Sequence, residues 1–287
     1  MTTDQFTKSI DAFRESAERI AAEGDATALA IVLHDYESGQ HFALKGDQRF
    51  HAASTIKVAV MLAVFRAIDD MRIRGDAPLH IRNRFLSASG GTPFRVDSES
   101  DGYPPLHRMV GRTAKILELA EWMIVSSSNL ATNLLLDFLT VDYANSVLRD
   151  AGIAGVDLRR GVDDEKAFGA GCNNETTAEG LFALFAAFRS EFLSTESRDR
   201  AIHILLGQRF IAMIPAGLPK HASVAHKTGE ISSVCHDAGI VYLPEREPYI
   251  LVVLTESTAE SDNRRETVAR ISEAAYRIVI KPEIQTR

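Results

Sequence analysis

The sequence predicts a two-lobed α and β fold, in which an all-α lobe is inserted into an α/β lobe with a five-stranded antiparallel sheet. A hairpin pattern follows the first helix, three strand-like runs precede the last helix, and a helical block separates them. The simplest closure pairs the last strands with the hairpin in one sheet, flanked by the terminal helices. The predicted lobes are 1–50 with 214–287, and 51–213 between them.

The first elements are an amphipathic helix and a hairpin. Residues 1–24 show apolar positions at helical spacing, and two β-rich runs flank a turn at 37–40. From Ser54 the pattern becomes long, apolar and helical. The Ala-Ser-Thr sequence at its start is expected to cap this helix.

The remaining elements follow the same pattern rules. Two polar loops, 88–106 and 159–175, are long enough to carry function. The other helical runs are 112–125, 129–139, 141–152 and 176–193, the strand candidates are 223–230, 237–244 and 249–256, and the final helix is 264–280. A cleft at the seam between the lobes is the natural place for chemistry.

Composition limits the classes of function. The 287 residues are 45% hydrophobic and 25% charged, which is typical of a globular chain with a large core. A formal charge of −7 argues against a nucleic-acid or anionic-membrane partner, since both need a basic face. Two cysteines cannot build a disulfide framework. The longest apolar stretch, 58–65, is far short of the roughly 20 residues of a membrane span.

The beginning of the sequence carries scattered acids and bases, where a secretory leader would have basic residues and then an apolar run. We therefore expect a cytoplasmic protein as the sequence stands, or a secreted or periplasmic one whose leader has been removed. A monomer is expected, because no surface stripe indicates a partner chain.

The first motif that carries chemistry is Ser54-Thr55-Ile56-Lys57. A three-residue step on a helix puts both end side chains on one face, so that the lysine amine can reach the serine hydroxyl. A desolvated lysine has a lowered pKa and can activate a serine nucleophile. The helix start also aims backbone amides at a developing oxyanion. Ser-x-x-Lys arises by chance roughly 0.6 times in such a chain, so on this motif alone a helix cap beside a surface lysine is the preferred explanation.

The second motif is Ser126-Ser127-Ser128-Asn129, on a short connector between helical runs. Ser127 and Asn129 are two residues apart and can point into the cleft, one to relay a proton and one to bind a substrate amide. The alternative is a serine-rich junction with Asn129 as a helix cap.

The third motif is Lys227-Thr228-Gly229, on the first strand of the C-terminal set. Lysine supplies positive charge, threonine a hydroxyl for a carboxylate, and glycine close access of substrate to the backbone. This triplet is expected roughly 0.03 times by chance. An exposed edge strand with a protective lysine is the alternative, provided that the other motifs are ignored.

Together the three motifs resemble the signature of the penicillin-recognising serine enzymes, which include class A β-lactamases and penicillin-binding proteins. The resemblance extends along nearly the whole chain, in order. It includes the Phe-His-Ala-Ala before Ser54, the helical run after Asn129, the Pro-Ala-Gly-Leu-Pro turn at 215–219, and His236-Asp237. It implies the family's two-lobed fold, a small-molecule β-lactam or related acyl substrate, and no cofactor or metal.

The resemblance also implies roles for individual residues. Ser54 would be the acylated nucleophile, Lys57 its proton partner, and Ser127 the donor to the leaving nitrogen. The substrate-binding residues would be Asn129 for the side-chain amide, Lys227 and Thr228 for the carboxylate, and the backbone amides of Ser54 and Glu230 for the oxyanion. Tyr103, in the loop expected to face the cleft, would be a substrate-stacking wall, whereas Trp122 is assigned to the core.

Two departures from the family pattern affect the connector and the second polar loop. Ser128 stands where the family has an aspartate that is largely a structural hydrogen-bonder. Class A enzymes carry Arg-x-Glu-x-x-Leu-Asn in the loop, whose glutamate activates the deacylating water, and no residue here falls cleanly on it. Asp163, Asp164 and Glu165 are candidates, with Asp163 preferred, and three solvated loop charges are the alternative.

A further departure concerns the arginine that class A enzymes hold near the carboxylate pocket. Pro215 and Cys235 lie near its two expected positions, which implies weaker carboxylate recognition. His226 and His236 are assigned structural roles, with no metal-binding spacing. Cys172 and Cys235 are expected to be buried thiols.

The leading function is therefore a serine hydrolase of the class A β-lactamase type, acting through a Ser54 acyl-enzyme. A related esterase or D-Ala-D-Ala-type peptidase with weak β-lactam turnover is one alternative, supported by the uncertain deacylating carboxylate and the missing arginine. A slowly deacylating penicillin-binding or sensor module is the other.

Overall fold

The structure, a computed structural model, describes residues 3–280, with side chains from residue 10 onward. Residues 1–2 and 281–287 of the predicted α/β lobe lie outside the described residues. The α-helices are α1 (Thr3–Glu23), α2 (Lys57–Asp69), α3 (Ile116–Val125), α4 (Asn129–Leu139), α5 (Val141–Asp150), α6 (Glu165–Gly169), α7 (Ala178–Ala187), α8 (Thr195–Leu206) and α9 (Ser261–Val279). Short 3-10 helices are Ala53–Ile56, Pro104–Met109 and Ile214–Gly217.

The main sheet has five antiparallel strands in the order β10-β11-β12-β1-β2. Its strands are β1 (Ala26–Asp35), β2 (Gln40–Leu44), β10 (Ser223–Ile231), β11 (Val234–Tyr242) and β12 (Tyr249–Ser257). The remaining short strands are β3 (Phe50–His51), β4 (Pro78–His80), β5 (Phe85–Leu86), β6 (Pro93–Phe94), β7 (Thr113–Lys115), β8 (Val156–Asp157) and β9 (Glu175–Thr176). The predicted fold class is confirmed, including the early hairpin and its union with the last three strands.

Alternation along the strands gives the sheet two apolar faces. Ile31 and Leu33 of β1 belong to a buried cluster with α1 and α9, whereas Ala30 and Val32 belong to a larger cluster with the helical block. Residues 57–65 of α2 are all buried, which makes α2 the central helix of that block. The sheet is therefore covered on both faces, and its β10 edge borders the start of α2.

The helix expected to begin at Ser54 starts differently. Residues 53–56 form a 3-10 turn without a side-chain cap, so the predicted capping by Ala-Ser-Thr is wrong. The Thr55 hydroxyl is buried and donates back to the carbonyl of Ala52 at 2.5 Å. Within the described part of the chain, the neighbouring Ser54 hydroxyl makes no hydrogen bond.

The lobe boundaries at 50/51 and 213/214 remain a prediction. No helix in the described part of the chain is long and apolar enough to cross a membrane. The expected compartment also remains a prediction.

Candidate active site

The 3-10 turn at Ala53–Ile56, called the Ser54 turn below, lies against strand β10. Ala53 has a φ of 45°, in the left-handed region that costs a non-glycine residue conformational energy. A Cβ on Gly229 would lie 2.9 Å from Cγ2 and 3.0 Å from the amide nitrogen of Thr55. Gly229 therefore allows the strand to approach the turn closely. The sequence had predicted access of substrate at this glycine, and the structure shows contact with the protein's own backbone instead.

Lys57 is completely buried at the start of α2. Its Nζ donates to the Ser127 carbonyl at 2.7 Å, to Ser127 Oγ at 3.0 Å and to Asn129 Oδ1 at 2.6 Å. In the described part of the chain no hydrogen bond joins Lys57 to Ser54, in contrast to the expectation from helical spacing. The three acceptors draw the amine toward the connector, and Ser54 sits on a 3-10 turn rather than on the helix.

Ser127 is the meeting point of two lysine amines. Lys227 Nζ donates to Ser127 Oγ at 3.1 Å, the same oxygen that Lys57 reaches, and also to the Thr228 carbonyl at 2.8 Å. Ser127 has a φ of 59°, which turns the connector sharply between α3 and α4. The hydroxyl that was expected to relay a proton thus lies between the two amines.

Burial changes the proton affinity of both amines. The pKa of Lys57 falls to about 7, chiefly because burial disfavours the charged form, while the charges of Asp101 and Asp163 oppose the fall. The pKa of Lys227 is lowered well below its usual value by burial and by the nearby charge of Lys57. A substantial fraction of Lys57 is therefore neutral at neutral pH, as a proton acceptor must be.

Ser128, and not Asn129, caps helix α4. The Ser128 hydroxyl accepts from the Ala131 amide at 3.2 Å, and the Asn129 side chain is free to face the cleft. There Asn129 bridges two groups, accepting from Lys57 and donating through Nδ2 to Asp163 Oδ2 at 2.9 Å.

The second polar loop closes on itself and is tied to α4. Asn174 Oδ1 accepts from the amides of Arg159 and Arg160, and Asn174 Nδ2 donates to the Arg160 carbonyl. Asn133 donates to the Val162 carbonyl at 2.9 Å and accepts from the Val162 amide at 2.8 Å. These bonds fix the entry of the loop beside the connector.

The three acidic candidates of the loop occupy different environments. Asp163, with a φ of 57°, faces Asn129 and the cleft. Asp164 is buried, caps α6 through the Ala167 amide and accepts from the Ala88 amide. Glu165 is exposed on the cleft rim. Partial burial raises the pKa of Asp163, whereas the Asn129 hydrogen bond and the charge of Lys57 lower it by a smaller amount.

Two adjoining cavities of about 400 and 430 Å³ meet at Ser54. Both share Ser54, Ser100, Asn129 and Glu230. The first extends along the polar loop to Asp163, and the second extends past Thr228 to Arg265. The sequence motifs, from three separate segments, thus converge on one continuous cleft.

Tyr103, expected as a substrate-stacking wall, is half-buried against the protein itself, and its contact with substrate remains a prediction. Its ring stacks on Trp122, with centroids 5.1 Å apart, and both rings pack against the main core. Of the loop segment around it, Ser100 and Gly102 line the described cavities. Trp122 is partly buried, in line with its assignment to the core.

Sequence reasoning missed an arginine that lines the Thr228 side of the cleft. Arg265, from α9, lines that cavity and pairs with the Glu230 carboxylate at 2.9 Å. Pro215 lies in a 3-10 helix and Cys235 in the buried face under α9, so neither position faces the cleft. An arginine on a terminal helix belongs to no motif of fixed spacing, and only the fold brings it to this site.

The two histidines next to the third motif are engaged in structural contacts. Buried His226 contacts the Asp237 carboxylate at 2.9 Å. His236 accepts from the Thr255 amide and donates to the His51 carbonyl, and burial lowers its pKa to about 4. The described residues contain no group of three metal-binding side chains.

The two cysteines are both free. Cys235 is buried as expected, whereas Cys172 is only partly buried, so the prediction for Cys172 is wrong. Cys172 lies in the loop that turns back toward Asn174, where backbone contacts leave part of its side chain open.

Comparison with known proteins identifies the family. The model of the beta-lactamase enzyme family matches residues 12–279. The chain belongs to the beta-lactamase enzyme family. This membership confirms the family predicted from the motifs and its class of hydrolase.

Similar proteins agree with that membership. Beta-lactamase AST-1 of Nocardia asteroides is 29% identical over 272 residues, covering 91% of this enzyme and 82% of the relative. A PBP-A mutant, solved as an acyl-enzyme complex with penicillin G, is 27% identical with a TM-score of 0.79, covering 93% and 95% of the two chains. A beta-lactamase structure from Xanthomonas campestris superposes with a TM-score of 0.83 at 22% identity, covering 94% and 98%, and supports the fold.

Proposed function

We propose that this enzyme hydrolyses the amide bond of β-lactams through an acyl-enzyme on Ser54. The observation that carries this proposal is the convergence of two buried lysine amines on Ser127 Oγ, beside the turn that presents Ser54. A hydroxyl between two amines, next to an uncommitted serine, is suited to proton transfer during acyl transfer.

In the acylation step, Ser54 Oγ attacks the β-lactam carbonyl carbon as neutral Lys57 accepts its proton. The carbon–nitrogen bond then breaks, and the proton passes from Lys57 through Ser127 to the leaving nitrogen. The step consumes no other reactant, and it leaves an ester on Ser54 and a secondary amine. The buried, partly neutral amine and its contact with Ser127 support this route.

Substrate binding is assigned to the groups that surround Ser54. Asn129 would bind the side-chain amide of the substrate, and the backbone amides of Ser54 and Glu230 would stabilise the oxyanion. Lys227 and Thr228 would attract the substrate carboxylate, with Arg265 as an additional cation on the same wall. The contact of Lys227 with the Thr228 carbonyl and the position of Thr228 in the Arg265 cavity support this assignment.

In the deacylation step, Asp163 would take a proton from a water that attacks the ester carbonyl. The ester then breaks, releasing the opened acid and returning the proton to Ser54. The carboxylate faces the cleft beside Asn129, and partial burial raises its pKa, which favours proton uptake.

A slowly deacylating penicillin-binding protein is the second candidate, and one observation favours it. Asp163 Oδ2 is already hydrogen-bonded to Asn129, and its short stem reaches the cleft only through a left-handed backbone. A misplaced base can slow a reaction by orders of magnitude. A D-Ala-D-Ala-type peptide or a simple ester would be the natural substrate in that case.

A monomer acting on a small-molecule substrate remains the proposed state, and two cavities of about 400 and 430 Å³ have the size of a small-molecule site.

The intact mass of the protein over time tests the proposed function after mixing with a penicillin and with a cephalosporin. An adduct on Ser54 that appears and then clears as the drug is consumed is the expected result. A persistent adduct would favour the penicillin-binding role. With neither an adduct nor consumption of the drug, the β-lactam proposal would fail, and D-Ala-D-Ala peptides and esters would be the next substrates.

A further inference from the structure

Asp101 is a buried carboxylate that the mechanism above does not use. It lies in the polar loop at 88–106, and its side chain is completely shielded from solvent. Such a group needs strong hydrogen-bond partners, because burial of an unpaired carboxylate is very unfavourable. Its partners therefore show what holds it there.

Four groups surround the Asp101 carboxylate, and two of them belong to the connector and α4. Oδ2 accepts from the Leu130 amide at 2.8 Å and from the Ser128 hydroxyl at 3.3 Å. His107 Nε2 lies 3.1 Å from the same oxygen, and the Tyr103 amide donates to Oδ1 at 2.7 Å. The carboxylate thus caps the N-terminus of α4 from outside the helix, where the helix dipole favours negative charge.

The loop also approaches the connector through its backbone. A Cβ on Gly102 would lie 1.9 Å from the carbonyl oxygen of Ser126, so only glycine fits there. Ser127, the next residue of the connector, is in the left-handed region with a φ of 59°. A serine holds such a conformation only where its surroundings enforce it. The Asp101–Gly102 segment supplies one side of those surroundings.

We propose that Asp101 is a positioning residue for acylation: it holds the Ser127–Asn129 connector in its strained form and supplies a negative charge near Lys57. This proposal rests on the proposed function of Ser54 and Ser127. Ser128 carries no charge, and a carboxylate from a separate loop provides one instead. Asp101 has no contact with the cleft surface, so its action passes through the connector.

The charges around Lys57 come from three elements. Asp101 approaches from the 88–106 loop, Asp163 from the loop at 159–175, and Lys227 from β10. The two carboxylates raise the pKa of Lys57 against the effect of burial. Removing the Asp101 charge should therefore move the acidic limb of the acylation rate to lower pH, which loss of packing alone would not do.

The test compares Asp101→Asn with a matched control in the same loop. Asp97→Asn is that control, because Asp97 accepts from the amide two residues on, as Asp101 does, but is exposed. The acylation rate constant with benzylpenicillin is measured from pH 5 to 9 by intact mass. We expect Asp101→Asn to lower the plateau at least about tenfold and to move the acidic limb to lower pH. Asp97→Asn should change neither.

A charge exchange provides the rescue. In Asp101→Ser/Ser128→Asp the carboxylate moves to the connector itself, and it should recover the wild-type plateau to within about threefold. An Asp101→Asn rate within twofold of wild type, with an unmoved limb, would overturn the positioning role while leaving the Ser54 proposal intact. A wild-type protein that forms no adduct would overturn both.

If Asp101→Asn does not fold, Ser128→Ala decides. This change keeps the carboxylate and its bond to the Leu130 amide, and removes the connector hydroxyl with its bonds to Asp101 and to the Ala131 amide. We expect a several-fold loss of the acylation rate with the acidic limb unmoved, since the charge stays in place. An unchanged rate would contradict the role of the Asp101–Ser128 contact and would overturn the proposal.

Discussion

The two sides of the cleft are built in different ways. On the acylation side, Lys57 and Lys227 are completely buried, and both amines bond to Ser127. On the side of the polar loop, Asp163 faces the cleft and has one side-chain hydrogen bond, to Asn129. Asn129 links the two sides, because it accepts from Lys57 and donates to Asp163.

This difference indicates which step of the reaction tolerates change. The lysines are held by burial and by several acceptors, so small movements there would leave a buried amine without partners, at high energetic cost. The carboxylate depends on the backbone of one loop and can move without disturbing the core. Acylation is expected to be the robust step, and deacylation the step that distinguishes a β-lactamase from a penicillin-binding protein.

Replacing Ser54 by Ala should produce the largest effect, because both steps depend on its hydroxyl. Turnover of benzylpenicillin should fall by at least about a thousandfold, and no covalent adduct should form. Steady-state kinetics and intact mass measure the two quantities. Ser98→Ala, on the exposed part of the 88–106 loop, is the control. An adduct that survives in Ser54→Ala would sink the nucleophile assignment.

Replacing Asp163 by Asn should slow deacylation and leave acylation nearly unchanged. We expect the acyl-enzyme lifetime to rise by about 10²- to 10³-fold, while the acylation rate stays within about threefold of wild type. Stopped-flow and intact-mass measurements resolve the two rates. Glu165→Gln serves as the control, and an effect confined to that variant would transfer the role to Glu165.

The pH dependence of acylation reports on Lys57. Its pKa is lowered to about 7, and the neutral amine is the active form, so the rate should rise with pH through that value. Below it, the rate should fall about tenfold for each pH unit. Pre-steady-state acylation from pH 5 to 9 checks this. A rate that falls as pH rises through 7 would mean that the charged amine is the active form.

Two glycines offer a matched pair of perturbations. A Cβ on Gly229 would meet the Ser54 turn, and a Cβ on Gly161 would lie 2.6 Å from Asn133 Oδ1. Gly229→Ala should slow acylation and cost about 1–3 kcal/mol of unfolding free energy, whereas Gly161→Ala should slow deacylation. Gly169→Ala, with open space around it, is the control. Equal effects of the two changes on both steps would argue against separate sides.

The smallest effect is expected at Arg265, whose side chain is 39% exposed. Arg265→Ala should raise the KM for benzylpenicillin about two- to fivefold at low salt, with kcat nearly unchanged, because an exposed charge is screened. Repeating the measurement at high ionic strength should reduce the difference. A loss in kcat without a change in KM would assign Arg265 to a different role.

The sheet and the helical block could be predicted from the sequence, and the three motifs could be recognised in it, because hydrophobic periodicity and motif spacing are local properties. The sequence alone did not reveal the contacts between distant segments. The caps show this limit: Ser128 and not Asn129 caps α4, and Ser54 lies within a 3-10 turn that begins at Ala53. Arg265 and Asp101 belong to no motif, and only tertiary packing brings them to the site.

The loop was the most ambiguous region for the same reason. Its three acids are equivalent by composition, and their difference arises from a cap on α6 and a left-handed residue, neither of which the spacing reveals. The stacking of Tyr103 on Trp122 could not be read from the sequence either, because the two rings lie on different elements.

The twin hydrogen bonds between Asn133 and Val162 have a consequence for exchanging the loop. Asn133 lies one helical turn after Asn129, so a fixed rise of about 6 Å separates the loop's docking point from the connector. Arg160 and Asn174 already close the loop at its base. The stretch between these two fixed points can therefore be exchanged as a unit. A loop from a fast-deacylating relative that keeps the same base and the same docking point would place its residues at the same distance from the connector. The Ser54 side of the cleft would stay unchanged.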